Sequence, residues 1–333
     1  MVYLGRAQTR NSSSGRAALL AAMLTFVVAI ALALSGCAQG SADKGGSEGK
    51  LTVYATTGYI ADAVKNIAPD AEITTMVGPG GDPHTYQPST QDIEKIQGVD
   101  LVLWNGLHLE AQMLELLESR GDKQLAVAEE LPKELLLPWP EDDGAGGTLY
   151  DPHVWNSPEA WSMIVESITE KLAEVDPDNA ETYRENGEKY RGEIAAAADE
   201  VEQLLSTVPD PRILITGHDA FGYFGDTYNL QVYATDFVSS EAALSPAELS
   251  ELAKLIADNK VPVIFQDNQA NPQAITSLKE AVRALGWQVE ISDQELYADS
   301  LGADAGVDTY LGVLKHNAKS VADELGTAGA GAQ

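Results

Sequence analysis

Short apolar runs alternate with stretches of helical period along most of this chain. In the first half, Leu51 to Ala55, Glu72 to Val77 and Leu101 to Trp104 read as strands, and Tyr59 to Ile67 and Glu110 to Leu117 read as helices. Ser157 to Glu174 reads as another helix, with Ser157 as N-cap and Pro158 at the first helical position. Asp176-Pro177 then opens a long helix running to about Leu205. Its apolar positions, Tyr183, Tyr190, Ile194, Ala197, Val201 and Leu204, fall on one stripe. A helix of that length reaches roughly 40 Å, enough to span two lobes. Val208-Pro209-Asp210-Pro211 ends it.

The second half repeats the same grammar. Strands are expected at Arg212–Thr216, Gln231–Ala234, Val261–Phe265 and Gln288–Ile291. Helices are expected at Ala220–Tyr228, Ser245–Asp258, Pro272–Leu285 and Gly306–Leu325, with the residues from Gly326 onward frayed. Ser245-Pro246-Ala247-Glu248 has the form of a capping box. Strand–helix alternation on this scale predicts an α/β fold with mainly parallel sheets.

The N-terminus changes the picture from a plain α/β protein to an exported one. Residues 1–36 carry Arg6, Arg10 and Arg16, no acid, and an apolar run from Ala17 to Leu34 that ends in Leu-Ser-Gly-Cys. A basic segment, an apolar segment and small residues ahead of a cut describe a secretory signal. Cys37 is the chain's single cysteine, so it has no intramolecular disulfide partner. The alternative is a transmembrane helix followed by a chance cysteine. The polar, Gly- and Ser-rich stretch from Ala38 to Lys50 favours a lipidated Cys37 followed by a flexible tether. The chain carries 51 acidic against 21 basic residues, a net charge of −30. Such a surface repels nucleic acid, which excludes that class of partner.

The candidate chemistry lies in the histidines. There are five, and two share one context, Asp82-Pro83-His84 and Asp151-Pro152-His153. Proline holds each in a stiff, non-helical segment. His218 ends the apolar run from Ile213, and Asp299 follows the last predicted strand. In parallel sheets ligands bind beyond the carboxyl ends of strands, so two donors from each half would meet in a cleft. Three imidazoles and a carboxylate suit Zn²⁺, or Mn²⁺ with more oxygen donors, and disfavour Ca²⁺ and Mg²⁺. Four protein donors leave no obvious open position for a substrate water, which favours carrying the metal over using it.

Five stretches carry a family resemblance. They are GGDPHTYQPSTQDI (80–93), DLVLWNGLHLE (100–110), DPHVWNSPEAW (151–161), ITGHDAFGYFGDTYNL (215–230) and YADSLGADAGVDTYLGVLKHN (297–317). Together they resemble the zinc- and manganese-binding solute-binding lipoproteins of ABC transporters. The resemblance implies two βα lobes joined by one long rigid helix, with His84, His153, His218 and Asp299 as metal ligands. It divides the chain into a signal peptide (1–36), a lipidated Cys37 and tether (37–50), an N-terminal lobe (51–175), a linker helix (176–208) and a C-terminal lobe (209–333). A histidine at the third ligand position is common in zinc-binding members, and a glutamate among manganese binders, so His218 tilts the expectation toward Zn²⁺. The chain departs from the family in three places. Trp139 to Tyr150 has no histidine where many zinc members have a histidine-rich loop. His108 stands where glycine is common. Trp155-Asn156-Ser157-Pro158 replaces the usual Trp-Leu-Asp-Pro.

The implied activity is capture of a divalent metal at the outer face of a bacterial cytoplasmic membrane and its delivery to an ABC permease with its ATPase. The carrier would be a monomer, anchored through Cys37 and without enzymatic activity. Two rival readings are a zinc metallohydrolase and a surface adhesin with a structural metal. Asp236, Glu241 and Asp267 read as solvated surface acids rather than groups supporting the site. His108 and His316 read as exposed or structural, and Trp104, Trp155 and Trp161 as packing residues.

Overall fold

The computed structural model describes residues 49–142, 148–237 and 244–328. Residues 1–36, Cys37 and Glu241 lie outside the described residues, as do 143–147 of the histidine-free loop. Among the described residues no helix is long and apolar enough to cross a membrane.

The first half contains β1 (Thr52–Ala55), α1 (Gly58–Ile67), β2 (Glu72–Thr75), α2 (Thr90–Gly98), β3 (Leu101–Trp104), α3 (Leu114–Glu118) and β4 (Gln124–Ala126). All four strands are parallel, in the order β2-β1-β3-β4. A short antiparallel hairpin follows, β5 (Pro138–Asp142) with β6 (Thr148–Tyr150). Then come α4 (Pro158–Val175) and the long α5 (Ala180–Leu205). The second half contains β7 (Ile213–Thr216), α6 (Gly222–Tyr228), β8 (Gln231–Ala234), α7 (Pro246–Asn259), β9 (Val263–Ile264), α8 (Pro272–Ala284), β10 (Glu290–Ile291) and α9 (Tyr310–Ala328). Here β7 pairs with β8 and β9 with β10, all parallel, and the Phe265 amide donates to the Ile215 carbonyl to join the two pairs. The result is two βα lobes with a long helix between them in sequence.

The central strands are mostly apolar because both faces are covered. Every residue of β3 and β7 is buried. Helix starts follow the expected chemistry. Ser157 Oγ accepts from the Ala160 amide, and Ser245 and Glu248 form a reciprocal capping box.

Several boundaries differ from the sequence expectation. The long helix begins at Ala180, not Asp176, because Asp176–Asn179 forms a turn. The Asp176 carboxylate accepts there from Asn179 Nδ2 at 2.8 Å and Tyr183 OH at 2.7 Å. Its buried stripe ends on Leu205, whereas Leu204 is exposed. Helix α2, capped by Ser89 and Asp92, strand β4 and the hairpin were not expected. The helix expected at 110–117 is instead a 3-10 turn (Ala111–Met113) followed by α3. Glu110 is turned inward there, accepting from Thr56 Oγ1 and the Asn105 and Gly106 amides. Helix α9 starts four residues late, after Gly306 at φ 98°, and continues past Gly326 to Ala328.

One apolar cluster runs through both lobes. It includes Val53 of β1, Trp161 of α4, Ile194 and Val201 of α5, Leu214 of β7 and Val313 of α9. Helix α5 packs against α1, α4 and α9. Asp62 of α1 reinforces this join, accepting from Tyr190 OH at 2.6 Å and from the Tyr310 amide at 3.3 Å. Where α4 packs against α5, Gly187 lies directly against Thr169, and a Cβ there would overlap the threonine side chain. Gly187→Ala is therefore expected to destabilise the protein. Overpacking costs about 1–3 kcal/mol, against a helix-propensity gain of about 1 kcal/mol. Urea denaturation checks this, and adding Thr169→Ala should recover stability relative to Gly187→Ala alone.

Candidate metal centre

The two Asp-Pro-His motifs fold into the same local turn. In each, the aspartate two residues ahead accepts the histidine's own amide. Asp82 Oδ1 lies 2.8 Å from the His84 nitrogen, and Asp151 Oδ1 lies 2.9 Å from that of His153. The second motif goes one step further. Asp151 Oδ1 is also 2.7 Å from His153 Nδ1. An ionised carboxylate only accepts, so Nδ1 carries the hydrogen and Nε2 is turned inward.

His218 directly follows β7, beyond the carboxyl end of the strand. The amides of Gly217 and His218 both donate to Asp267 Oδ2 at 2.9 Å. Gly217 has no room for a side chain, because a Cβ would overlap Ala270 and come within 2.9 Å of Asp267 Oδ2. Asp299 sits between residues fixed by Asn268, which accepts from the Ala298 amide at 2.8 Å and donates to the Ser300 carbonyl at 2.9 Å. The Ala298 carbonyl accepts from both Tyr59 OH and Trp155 Nε1 at 2.9 Å.

These four side chains converge. One donor atom from each lies within 4.8 Å of every other. His153 Nε2 is 3.2 Å from His84 Nε2 and 3.3 Å from His218 Nε2. Asp299 Oδ1 is 3.2 Å from His153 Nε2, and its Oδ2 is 3.4 Å from His84 Nε2 and 3.3 Å from His218 Nε2. A tetrahedron of donors about 2.0 Å from a central ion has edges of about 3.3 Å. The separations among the imidazoles and the nearer Asp299 oxygen lie close to that edge, and with one donor taken from each residue all stay within 4.8 Å, a space that suits a small divalent cation.

The group is almost wholly removed from water. His153, His218 and Asp299 are fully buried, and His84 is 6% exposed. Trp155 stands edge-on to His153 and stacks on Tyr59, giving one apolar wall. Among the described residues neither Asp299 oxygen has an aligned hydrogen-bond donor, despite three nearby imidazoles, and none partners His218 Nδ1. Buried carboxylates are rarely left this way. A cation among the four donors would satisfy them together.

The electrostatics agree. Burial would raise Asp299, yet His218 and His153 hold it well below the usual carboxylate range. Burial would lower His153, but Asp299 and Asp151 outweigh it and push the imidazole up to about 10. His218 is raised for a similar reason, with burial opposed mainly by Asp299. His84 is lowered, because for it burial prevails. Positive charge, whether proton or metal, is thus drawn to the centre.

Other residues fall elsewhere. His108 is exposed on a turn at φ 68°, and half-buried His316 contacts the Glu295 carbonyl. Trp104, Trp155 and Trp161 are core residues, as expected. The expectation for Asp236 and Asp267 fails, since both are buried. Asp236 accepts from the Asn271 amide, and Asp267, pushed up to about 6 by burial, accepts three amides. The partner of Asp236 and two of the three of Asp267 lie 35 to 50 residues away in sequence, so local pattern gives no hint of those; the third, the Gln269 amide, is two residues on. Asp82 and Asp151 were readable in principle, because Asp two residues before another residue is a known turn-forming arrangement.

The family described as "Zinc-uptake complex component A periplasmic" matches residues 53–324. The chain is 33% identical to the manganese-binding lipoprotein MntA of Bacillus subtilis, over 91% of this chain and 98% of that one. It is 36% identical to the zinc-binding protein TroA of Treponema pallidum, over 84% of this chain and 90% of that one. It is 30% identical to the iron-binding protein YfeA of Yersinia pestis, over 92% of this chain and 97% of that one. The solved structure of periplasmic zinc-binding TroA superposes with a TM-score of 0.77 at 35% identity, covering 83% of this chain and 99% of that chain. The chain therefore belongs to the family of periplasmic component A of zinc-uptake complexes.

Proposed function

We propose that this protein is the capture component of an ABC importer for a divalent transition metal, Zn²⁺ first and Mn²⁺ next. His84, His153, His218 and Asp299 are its ligands. The observation that carries this reading is the convergence of three buried imidazoles on a buried carboxylate that has no aligned hydrogen-bond donor among the described residues. The metal is cargo. It enters by exchanging its water shell for three imidazoles and Asp299, and leaves to a permease driven by an ATPase. The protein is not an enzyme on this reading, because the ligand set closes around the ion and leaves no obvious place for a substrate water. Zn²⁺ is preferred because His218 supplies a third nitrogen donor where an oxygen would suit Mn²⁺ better.

The architecture of the carrier follows from the same reading. Residues 51–175 form the lobe bearing His84 and His153, and residues 209–333 the lobe bearing His218 and Asp299. Residues 176–208 link them. Residues 1–36 are a signal peptide, and acyl chains on Cys37 hold the monomeric protein at the outer face of the cytoplasmic membrane through the 38–50 tether. Support for the anchor comes from the sequence around Cys37 and from relatives named as lipoproteins.

Calorimetry on residues 38–333 tests the ligand set. One tight equivalent of Zn²⁺ is expected. His84→Ala should weaken it by more than about 100-fold, beyond the range typical for changing a group that only supports a ligand. His84→Ala/His153→Ala should abolish detectable binding. His218→Glu should narrow the gap between Zn²⁺ and Mn²⁺. Unchanged binding in the double variant would refute the assignment.

The pH dependence has a definite sign. His153 is pushed up to about 10 in the metal-free protein, so a proton occupies it at neutral pH and the metal must displace it. Lowering pH adds protons and weakens binding; raising pH strengthens it until about pH 10. Affinity for Zn²⁺ should fall at least about tenfold per pH unit between pH 8 and 6. Titrations in two buffers of different ionisation enthalpy should report at least about one proton released per metal at pH 7.5. A flat profile with no proton release would count against imidazole ligation.

A carrier also differs from a protein with a structural metal. The apolar clusters form without any of the four ligands. Chelation should therefore leave the far-UV circular dichroism native, while metal at 1,000 times its Kd adds about 4 kcal/mol of stability. Unfolding on chelation would favour a structural metal instead.

A further inference from the structure

Three of the four ligand-bearing segments, distant from one another in sequence, are gripped by three consecutive side chains. Asp267, Asn268 and Gln269 lie just beyond β9, where the backbone runs beside the segment leading to Asp299. The Leu296 amide donates there to the Gln266 carbonyl at 2.8 Å, and the Asn268 amide to the Leu296 carbonyl at 3.0 Å. Asp267 Oδ2 accepts from the amides of Gly217 and His218, both at 2.9 Å, fixing the turn of His218, while its Oδ1 accepts from the Gln269 amide at 3.0 Å. Asn268 brackets Asp299. It accepts from the Ala298 amide at 2.8 Å and donates to the Ser300 carbonyl at 2.9 Å and to Ser300 Oγ at 2.7 Å. Gln269 reaches across to the other lobe, donating from Nε2 to the Gly81 carbonyl at 2.8 Å, three residues before His84. Ser300 Oγ adds a second bond to the same loop by accepting from the Gly80 amide at 2.9 Å. His153 stands outside this arrangement. Asp151 orients it directly, and Asn105 Nδ2 donates to the Pro152 carbonyl at 3.0 Å.

We infer that Asp267-Asn268-Gln269 is a positioning unit for metal capture, in which each side chain sets one ligand. The inference rests on the ligand assignment proposed above. Metal ligands must be held within about 0.5 Å of their working positions, so the groups that hold them govern affinity. Changing such a group typically costs 10–100-fold in metal affinity. The three contacts do different work. Asp267 and Asn268 act within the second lobe and fix His218 and Asp299 before any metal arrives. Gln269 crosses the cleft and holds the loop of His84, the one ligand with measurable exposure at 6%. That residual exposure points to the His84 side as the metal's way to water. Gln269 therefore acts chiefly on the rate of release, and Asp267 on the fit of the site.

A crossed set of double-mutant cycles tests this, read as the rate of Zn²⁺ release to excess chelator and as Zn²⁺ affinity. Gln269→Ala is expected to speed release about tenfold, the lower end of the range, because Ser300 keeps its bond to the loop. That effect should vanish in a His84→Ala background and persist in a His218→Ala background. Asp267→Asn should show the mirror pattern, vanishing with His218→Ala and persisting with His84→Ala. A group that merely supported the fold would act alike in both backgrounds, so equal effects in the two, or none in the wild type, would overturn the inference. Should Asp267→Asn fail to fold, the Gln269 cycles decide alone, since Gln269 is only half-buried and its partner is a loop carbonyl. Unchanged Zn²⁺ binding in His84→Ala and His218→Ala themselves would overturn the ligand assignment as well. That result is distinct from weakened binding without the crossed pattern, which overturns only the positioning unit.

Discussion

Three imidazole nitrogens and a carboxylate face one another inside a space from which water is excluded, and that arrangement is unfavourable by itself. Even with a proton on His153, the remaining lone pairs repel, and a carboxylate buried this deeply is costly unless its charge is compensated. The surrounding protein must therefore hold the four groups in place against their mutual repulsion. Much of the local structure can be understood as that holding. Asp82 and Asp151 tie down their histidines' amides, Asp267 ties down two amides at His218, and Asn268 brackets Asp299. Tyr59 and Trp155 both donate to the carbonyl just before Asp299. These are rigid attachments from side chains that are themselves packed, which is what a preorganised metal site requires.

The lobes are not independent bodies on a hinge. The apolar cluster that contains the first sheet's β1 continues through α4 and α5 into β7 and α9 of the second half. Opening the cleft widely would separate parts of that shared core, at a cost of roughly 25 cal/mol for each Å² of apolar surface exposed. Helix α5 adds length without a break, 26 residues or about 39 Å. Both features favour exchange of metal through local movement of the loops at the cleft. The His84 loop suits that role. Its partners in the other lobe are Gln269 and Ser300, and its own lobe holds it through Tyr86 OH donating to Asp92 at 2.9 Å.

Much of this was legible in the sequence, and what was not has a physical reason. The parallel βα alternation and the caps at Ser157 and Ser245 could be read because they depend on short spacings, and the grouping of His84, His153, His218 and Asp299 from the repeated Asp-Pro-His motif, the strand ends and the family resemblance. Helix α2 was missed because its apolar face is slight; Ile96 is its one buried residue. Strand β4 has three residues, too few to show a period. The helix expected from Glu110 failed because that glutamate's carboxyl group is turned inside, accepting from Thr56 and two amides, and does not lie on a solvated helix face. Leu204 and Leu205 are adjacent apolar residues, and only packing against both lobes decides which turns inward. Asp236 and Asp267 looked like two more acids on an acidic chain. Their burial depends on amides brought close by the folded topology, which no local pattern records.

The identity of the cargo is a different kind of question, because the donor set constrains it less than it constrains the site. Relatives of comparable identity carry names for manganese, zinc and iron. A nitrogen-rich site binds Zn²⁺ more tightly than Mn²⁺ almost regardless of purpose, so intrinsic preference and biological cargo need not coincide. What the structure adds is a second competitor, the proton. With Asp151 on one side and Asp299 on the other, His153 holds a proton strongly when no metal is bound, and that proton balances part of the buried negative charge. Loading is then an exchange of positive charge in a fixed cage, not the filling of a neutral cavity. The proton and the metal therefore compete for the same place, and the pH outside sets how strongly.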